Sequence, residues 1–387
     1  MRSALLGLSF VSLLASVSVL ASAAFAQDEI QPETVGNVAI PRGTEMVFSV
    51  DLALNHVVDG RVYALNSKDL KLLGIIGIGS LGMVHVPQGT SDIYVATSHL
   101  SRTTRGTRSD FVEIYSGEDL TFKEEIPISN NRAQALNYRS LIWTSSDLKY
   151  LFIQNATPAT SVTVVDMLAK TQVADIPNPG CYGIFPASKT PTRFATTCGD
   201  GTFGTINVTA DGSAEMKASE PIFDADKDAL FSGAYRWGEN WVFTSYGGNI
   251  YVIDVEGDTA KLVDKIAVSE GVEGNWRPGG YQPITVRNDT GMAYLLMHSN
   301  GVEGSHKNPA EEIWAVDLKT KKVVGRAASA PGIALSVSQG DAPALFVIDG
   351  LKAEIVRYDL PAAGQAFALT PAVAASGGDL PDQVEVR

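Results

Sequence analysis

Short apolar runs alternate with short polar turns along almost the whole chain. One arrangement, an apolar run, a polar turn and a second strand-like run, occurs seven times: Val62–Ile76, Val112–Ile126, Val162–Ile176, Thr205–Ile222, Ile250–Ile266, Ile313–Arg326 and Ile355–Leu369. An acidic residue ends the first run in four of these copies: Asp166, Asp254, Asp317 and Asp359. Runs rich in β-branched and aromatic residues, bounded by Gly, Asn, Asp and Ser, are typical of antiparallel strands. Each copy therefore predicts a β-hairpin.

The spacing of the hairpins predicts how they assemble. Successive copies begin about 40–65 residues apart, the period of a propeller blade with loop insertions. A further strand-like run precedes most copies, as at Asp92–Thr97 and Trp241–Thr244. No long stretch shows helical periodicity. Because a single hairpin unit cannot bury both of its faces and a ring of stacked sheets can, we predict an all-β, seven-bladed β-propeller with four antiparallel strands per blade over residues 44–387.

A propeller ring must be closed, or its first and last sheets expose apolar faces. The run Met46–Leu52 precedes the first hairpin, and the run Asp382–Arg387 follows the last. We predict that both runs join one sheet shared by the two ends of the chain. The alternative is that the C-terminal run frays, as terminal residues often do.

The N-terminal segment and the net charge indicate a compartment. Residues 1–26 predict a secretory signal peptide cleaved after Ala26, with Arg2, an apolar stretch and the small-residue pattern Ala24-Phe25-Ala26. Residues 27–43 are polar and unpatterned and predict an N-terminal arm. The mature chain is therefore expected in the periplasm. The full sequence has a formal charge of −13, which argues against binding to nucleic acid and to anionic membranes.

Two cysteines in an exported chain suggest a disulfide. Cys181 begins one strand-like run and Cys198 ends the next, so the two sulfurs are expected opposite each other across a hairpin. A metal pair or a reactive thiol is the alternative. Neither alternative is favoured, because no histidine accompanies the cysteines at ligand spacing.

The sequence contains no motif for cofactor binding or catalysis in the structural context that such a motif requires. The segment Gly77–Gly82 fits G-x-G-x-x-G, but strand and turn follow it where a dinucleotide site needs a helix, so we interpret it as a connection between blades. The five histidines show no compact metal-ligand spacing. There is also no serine-hydrolase elbow and no haem-attachment motif. The sequence predicts no catalytic residue and no metal site on this chain.

The non-repetitive loops carry the unusual residues. Ser98–Asp110 contains three arginines, Gly271–Gln282 contains a Trp-Arg pair, and His298–Glu311 contains a histidine: Arg102, Arg105, Arg108, Trp276, Arg277 and His306. By strand count these loops emerge on the same face of the ring. Arg and Trp are common anchors of protein interfaces, so we predict that this face binds a protein. The alternative is that Trp276 caps the core and the arginines pair with Asp110 and Glu113.

These loop segments resemble a known family. The stretches Ser101–Glu113, Cys181–Pro186 with Cys198–Gly201, Trp276–Gly280 and His306-Lys307, in this order, are similar to the heavy subunit of the quinoprotein amine dehydrogenases, the methylamine and aromatic amine dehydrogenase family. The similarity extends from about Ala96 to Leu318 and agrees with the repeat on both sides.

The resemblance implies a partner and a reaction. In that family two heavy chains pair with two light chains, and each light chain carries tryptophan tryptophylquinone and a catalytic aspartate. The assembly oxidises a primary amine to an aldehyde and ammonia and passes electrons to a blue copper protein of the amicyanin or azurin type. The heavy chain holds no cofactor and walls the substrate channel. The resemblance also implies the Cys181–Cys198 disulfide and makes Phe48 the candidate aromatic residue at the channel mouth.

Two other functions remain open from the sequence. The sequence carries no catalytic motif of its own. It is therefore also compatible with a stand-alone propeller that binds a partner. A lactonase-like metal hydrolase, with an ion in the central channel, is the other alternative. That function predicts Asp, Glu, Asn or His residues that converge at strand starts on the channel.

Overall fold

The computed structural model describes residues 39–135, 137–209, 212–362 and 364–387, which fall within the compact unit Val38–Arg387. The predicted signal peptide and most of the predicted N-terminal arm lie outside the described residues. The described part is almost entirely strand and turn.

The described residues form 28 strands and three single-turn 3-10 helices. The strands are β1 (Met46–Asp51), β2 (Gly60–Asn66), β3 (Leu72–Gly79), β4 (Met83–His85), β5 (Asp92–Leu100), β6 (Arg108–Ser116), β7 (Phe122–Ile128), β8 (Ile142–Thr144), β9 (Tyr150–Asn155), β10 (Ser161–Asp166), β11 (Thr171–Pro177), β12 (Cys181–Pro186), β13 (Arg193–Cys198), β14 (Phe203–Val208), β15 (Ala214–Ala218), β16 (Tyr235–Trp237), β17 (Asn240–Thr244), β18 (Asn249–Asp254), β19 (Lys261–Ala267), β20 (Arg277–Pro278), β21 (Ile284–Arg287), β22 (Met292–His298), β23 (Ala310–Asp317), β24 (Lys322–Val337), β25 (Ala344–Asp349), β26 (Glu354–Asp359), β27 (Pro371–Ser376) and β28 (Pro381–Val386). The 3-10 helices are Leu54–His56, Arg139–Leu141 and Ser305–Lys307.

The strands assemble into an all-β propeller whose blade count differs from the prediction. Five separate four-stranded antiparallel sheets have the orders β28-β1-β2-β3, β4-β5-β6-β7, β8-β9-β10-β11, β12-β13-β14-β15 and β16-β17-β18-β19. The remaining strands form one continuous 8-stranded sheet in the order β20-β22-β23-β24-β25-β26-β27, with β21 also paired to β22. The prediction of seven separate four-stranded blades is therefore wrong: the described chain has five blades and one larger sheet.

Strand β24 explains the difference. It is 16 residues long and pairs with β23 through its first part and with β25 from Gly332 onward. Its Pro331-Gly332 pair is a turn signal in the sequence. In the structure Pro331 lies where the strand changes partners, a position that needs no backbone N–H for the ladder. The expected break between two sheets is thus bridged by continuous strand.

The acidic residues of the repeat stabilise hairpin turns. Asp166 Oδ1 accepts the backbone N–H groups of Leu168 and Ala169, each at 2.9 Å, in the β10–β11 turn. Asp317 Oδ1 makes the same pair of bonds in the β23–β24 turn. An aspartate that bonds its own backbone two residues on favours a turn at that point. The hairpin prediction is confirmed at these positions.

The hydrophobic core lies between neighbouring sheets. One cluster joins β4–β7 residues such as Ile114 to β8–β10 residues such as Leu151, and another joins Phe203 of β14 to Trp241 of β17. A further cluster, which includes Tyr294 and Val347, packs together the two parts of the large sheet. Each sheet therefore buries both faces against its neighbours.

The two ends of the chain meet in one sheet. Strand β1 pairs antiparallel with β28, with Ser49 opposite Val384. The buried Asp51 carboxylate accepts backbone N–H groups from Ala53 at 2.7 Å, Asp379 at 2.7 Å and Leu380 at 3.1 Å. The predicted closure is confirmed, and the fraying alternative is wrong.

Candidate functional site

We use the name loop face for the side of the ring that carries the β3–β4, β5–β6, β7–β8, β17–β18, β19–β20 and β22–β23 connections. Fully buried Arg132 of the β7–β8 connection ties it to the β3–β4 connection and to strand β5. Its Nη1 donates to Leu81 O at 2.5 Å, and its Nη2 donates to Ser80 O at 2.6 Å and to Ser98 Oγ at 2.7 Å. Strand β5, which Arg132 contacts through Ser98, leads into the first arginine-rich loop.

The β19–β20 and β22–β23 connections form one paired unit on the loop face. Asn300 N–H donates to Gly274 O and Gly301 N–H donates to Asn275 O, both at 2.8 Å. Gly280 N–H donates to His306 O at 3.0 Å. The Trp276, Arg277 and His306 segments are therefore brought together, although about 30 residues separate them in sequence.

A tyrosine cluster marks the centre of the loop face. Burial raises the pKa of Tyr138 to about 12, with further contributions from the nearby groups of Tyr246, Tyr281, Asp382 and Tyr182. These residues come from five different connections or strand starts.

The three predicted arginines do not share one environment. Arg102 and Arg105 are exposed, and neither side chain has an ion pair or hydrogen bond within the described residues. Arg108 is different: its Nε and Nη2 donate to the two oxygens of buried Asp110 at 2.7 and 2.6 Å. Arg108 therefore holds its own strand pair in place, and two arginines remain free to meet a partner.

Trp276 is partly a core residue. Its ring lies 5.5 Å from the ring of buried Trp314, and its Nε1 donates to Glu273 O at 3.0 Å. The Arg326 guanidinium lies 4.5 Å from the Trp276 ring centroid. Neighbouring Arg277 is half-buried and packs its side chain against the Gly301 backbone. The Trp276 ring is consequently fixed in orientation, and part of it stays at the surface.

His306 stacks on an aromatic residue from another connection. Its ring lies 4.2 Å from that of Tyr246 with an interplanar angle of 10°. Partial burial, with a smaller contribution from the adjacent Lys307 charge, lowers the pKa of His306. The lowered pKa favours the neutral form of the ring, and His306 contributes shape to the loop face.

Phe48 lies in the core. It is fully buried among apolar residues of β1–β5, and the Arg387 guanidinium lies 5.6 Å from its ring centroid. A side chain in this position contributes packing and offers no surface to a small molecule within this chain. Its role in a substrate channel stays a prediction.

The predicted disulfide is present between Cys181 and Cys198. The two residues are directly opposite each other in the β12–β13 pair, which is the cross-hairpin arrangement that the sequence indicated. The bond closes the loop-face ends of these two strands. The metal-pair and reactive-thiol alternatives are wrong.

A cavity of about 230 Å³ opens on the loop face beside the ring centre. We call it the mouth cavity; its lining includes Leu52, Leu54, Tyr281, Lys307, Ile333 and Asp382. Asp382 is 5% exposed, and its pKa is raised well above the ordinary value, chiefly by burial. Asn137 N–H donates to Asp382 Oδ2 at 3.0 Å.

A second cavity, of about 420 Å³, lies at the opposite end of the ring centre. Buried Arg139 and Glu385 meet there, with Arg139 Nε donating to Glu385 Oε1 at 2.7 Å. The Arg139 guanidinium also lies 4.6 Å from the Tyr235 ring centroid. His85 lies nearby and bonds Thr144 Oγ1 at 3.1 Å; burial lowers its pKa to about 3. These inner residues join strands from different sheets.

The glycine-rich segment lies in a connection, and the described residues contain neither a metal-binding cluster nor a membrane-spanning helix. Gly77–Gly82 spans the end of β3 and its connection to β4, so the prediction of a connection between sheets is confirmed. In the described parts of the chain, no three His, Cys, Asp or Glu side chains are grouped to hold a metal ion. Within the same residues no helix is long and apolar enough to cross a membrane.

Sequence reasoning missed the residues at the ring centre. Arg132, Arg139 and Glu385 are buried charged residues in otherwise ordinary strand or loop sequence. The tyrosine cluster and Asp382 come from connections and strand starts that are far apart in the sequence. The repeat gives the order of the strands but not which inner side chains meet, so no spacing rule could have identified them.

Comparisons with known proteins agree with the loop-segment resemblance. The sequence profile of the methylamine dehydrogenase heavy chain (MADH) matches residues 44–365. The chain is 27% identical over 336 residues to the methylamine dehydrogenase heavy chain of Methylophilus methylotrophus, covering 86% of this chain and 82% of that one. It is 26% identical over 306 residues to the Paracoccus versutus heavy chain, covering 77% and 70%.

The fold also resembles that of a solved protein whose name gives a different activity. The periplasmic gluconolactonase of Pseudomonas aeruginosa superposes with a TM-score of 0.60 at 13% identity, covering 88% of this chain and 98% of that one. At this identity the likeness concerns the fold alone. The profile match spans most of the chain, and the chain therefore belongs to the methylamine dehydrogenase heavy chain family.

Proposed function

We propose that this chain is the heavy subunit of a periplasmic amine dehydrogenase and that its loop face binds a light subunit. The family membership gives the general function. The observation that carries the docking surface is the pair Arg102 and Arg105, which are exposed and have no ion pair or hydrogen bond within the described residues. Arginine is enriched at the anchors of protein interfaces.

The fixed geometry of the rest of the loop face supports the same proposal. Trp276 is held by Trp314 and Arg326, and His306 is held by Tyr246. Aromatic residues that are already ordered lose little conformational entropy when a partner covers them. The loop face thus combines rigid aromatic groups with two available cations, a composition suited to a protein partner.

In this proposal the redox chemistry belongs to the partner. The light subunit carries tryptophan tryptophylquinone and the catalytic aspartate, and the quinone supplies the oxidation of a primary amine to aldehyde and ammonia. Two heavy and two light chains form the assembly, and a blue copper protein of the amicyanin or azurin type accepts the electrons. This chain binds and orients the light subunit and excludes water from its channel.

Purification from the native host tests the proposal. The expected result is a small co-purifying subunit, in equal number to this chain, with quinone absorbance and amine-dependent reduction of a blue copper protein. A colourless single chain without amine oxidation, obtained under the same conditions, would contradict it. Bound stoichiometric metal together with lactone hydrolysis would support the lactonase-like alternative.

A further inference from the structure

We propose that the cavity at the end of the ring centre opposite the loop face binds a small organic carboxylate whose body is planar and apolar. We call this space the inner cavity; the residues that line it include His85, Pro87, Trp143, Ser146, Arg236 and Asn288. The proposal goes beyond the docking function, because it concerns a small-molecule site on this chain away from the loop face. It rests on three features: walls built by the whole ring, a cation without an ion pair and an aromatic surface.

The inner cavity lies where the innermost strands of the sheets end. Its lining comes from the last residues of β4, β8, β16 and β28 and from the connections that follow β4, β8, β12, β16 and β21. All five blades and the larger sheet therefore contribute to it. Its volume, about 420 Å³, falls within the roughly 300–1,000 Å³ typical of small-molecule sites. Because strands hold these walls, a ligand enters a preformed space and need not order it.

The charges around the inner cavity leave an excess of one cation. Its charged lining residues are Arg139, Glu385 and Arg236. Arg139 Nε donates to Glu385 Oε1 at 2.7 Å, and Gln383 Nε2 donates to the same oxygen at 2.9 Å, so this carboxylate is already paired. His85 is neutral at neutral pH, since burial lowers its pKa to about 3. The charge of Arg236 thus remains, in a chain whose full sequence has a formal charge of −13.

Arg236 has unused hydrogen-bonding capacity. Its Nη2 makes one long bond of 3.4 Å to Pro186 O, and its Nη1 is accessible to solvent and has no partner within the described residues. Burial lowers the pKa of Arg236 more than the Glu256 charge raises it. Glu256 is itself occupied by the Ser188 hydroxyl at 2.6 Å and the Lys189 N–H at 3.1 Å. The planar guanidinium matches the geometry of a carboxylate, which would supply the acceptor that Nη1 lacks.

An aromatic surface specifies the body of the ligand. Trp143 lines the cavity and is half-buried; its ring lies 4.7 Å from the ring of His85 and 5.0 Å from a ring of Trp241. These contacts fix the orientation of Trp143 while part of its surface stays exposed. Pro87 and Leu148 line the same cavity. A fixed aromatic ring beside apolar side chains favours a planar apolar group that can stack on it.

The rim of the inner cavity adds neutral hydrogen-bonding groups. Gln88, Ser146 and Asn288 line it and are exposed, and none of their side chains has a hydrogen-bond partner within the described residues. Amide and hydroxyl groups can donate to a carboxylate oxygen that Arg236 does not reach. The lining therefore combines one cation, several neutral donors and a stacking surface, which together fit an aromatic carboxylate.

Isothermal titration of the protein purified from its host, with any co-purifying subunit, tests the site. The probes are 2-naphthoate, its uncharged analogue 2-naphthamide, and acetate, which has the charge and lacks the ring. We expect 2-naphthoate to bind, and the other two to bind weaker by about tenfold or more, because one loses the charge-assisted bond and the other the stacking. No binding of 2-naphthoate, or equal affinity for 2-naphthoate and 2-naphthamide, would overturn the proposal.

Variants locate the binding. Arg236→Met is expected to weaken 2-naphthoate binding by about tenfold or more and to leave the weak binding of 2-naphthamide unchanged. Lys189→Met is the matched control: Lys189 is outside the lining and lies 2.6 Å from Glu239, so its removal should change the affinity by less than about twofold. If Arg236→Met fails to fold, Ser146→Trp at the exposed rim should block binding instead. A folded Arg236→Met or Ser146→Trp variant that binds 2-naphthoate like the wild type would overturn the proposal.

This test is independent of the proposed docking function. The inner cavity lies opposite the loop face, so a light subunit bound there leaves the cavity open. The same 2-naphthoate affinity is therefore expected whether or not a light subunit co-purifies, and failure of one proposal leaves the other intact.

Discussion

The ring centre and the loop face both contain arginines, but they use them differently. Arg132 in the β7–β8 connection and Arg139 at the ring centre are buried, with partners on neighbouring connections or strands. Arg102 and Arg105 on the loop face are exposed and have no ion pair or hydrogen bond within the described residues. The difference indicates that the first pair stabilises the ring and that the second pair is available for binding.

The difference also has an energetic basis. A buried charge must be paired, because an unpaired one loses its hydration without compensation. An exposed arginine keeps most of its hydration, so its removal changes folding little. Mutations in the two regions should therefore separate stability from association.

The largest effect is expected at the central ion pair. Arg139→Met leaves Glu385 buried without its partner, so the free energy of unfolding should fall by about 3–5 kcal/mol. Denaturant titration measures the change. Arg61→Met, which removes the exposed partner of Asp59, is the control and should cost far less. Equal losses in the free energy of unfolding for the two variants would show that the buried ion pair stabilises the fold no more than an exposed one.

Removal of the disulfide on the loop face should cause the next largest loss of stability. Cys181→Ala with Cys198→Ala opens a link over a sequence separation of 17 residues. Loop-closure entropy gives an expected loss of about 3 kcal/mol. Thermal unfolding of this variant should resemble that of the reduced wild type. A variant as stable as the oxidised wild type would show that the hairpin alone fixes the two strands.

Asp382→Asn should stabilise the folded state at neutral pH, whereas Arg139→Met should destabilise it. Burial raises the pKa of Asp382 in the folded state well above its ordinary value, so between the unfolded and folded pKa values the folded state binds more protons than the unfolded chain. The wild type therefore loses stability as pH rises from near 4 through that raised pKa. The variant lacks this titration, so its melting temperature should exceed that of the wild type at neutral pH.

The pH profile of Asp382→Asn provides the check. Its advantage over the wild type should shrink as pH falls through about 4, because Asp382 becomes protonated in both states only below that pH. His85 acts in the opposite direction, because its pKa is lowered to about 3 and its stabilisation is lost as pH falls below about 6.5. A pH-independent difference between the wild type and the variant would contradict the raised pKa of buried Asp382.

The smallest effect on stability is expected for the loop-face arginines. Arg102→Ala with Arg105→Ala should change the free energy of unfolding by no more than about 0.5 kcal/mol. The same variant should weaken light-subunit binding by more than about 1 kcal/mol, the range of interface anchors. Lys68→Ala, an exposed cation in the β2–β3 turn, is the control for both measurements. Unchanged affinity would remove these arginines from the interface.

The hairpin order, the ring closure and the disulfide were predictable from the sequence because each depends on local signals. The aspartates of the β10–β11 and β23–β24 turns are examples, since each bonds its own turn. The number of separate sheets was not predictable, because Pro331 reads as a turn and in the structure lies within continuous strand. At Pro331 the pairing of β24 with both β23 and β25 overrides the local preference for a turn.

The candidate site was predictable only in part. The Trp276 and His306 segments were named from their composition, and the structure brings them together through main-chain hydrogen bonds. Arg108 was named for the same reason but binds Asp110 two residues away. The mouth cavity depends on Asp382 and on residues from several sheets. Such a site forms only when the ring closes, so no segment of the sequence contains its signal.

Hydrogen exchange of this chain with and without its light subunit tests the docking surface most directly. The account predicts new protection in the loop-face segments 98–110, 271–282 and 298–311, with little change in the β2–β3, β10–β11 and β23–β24 turns on the opposite side. Protection confined to those turns, with the three loops unchanged, would contradict it.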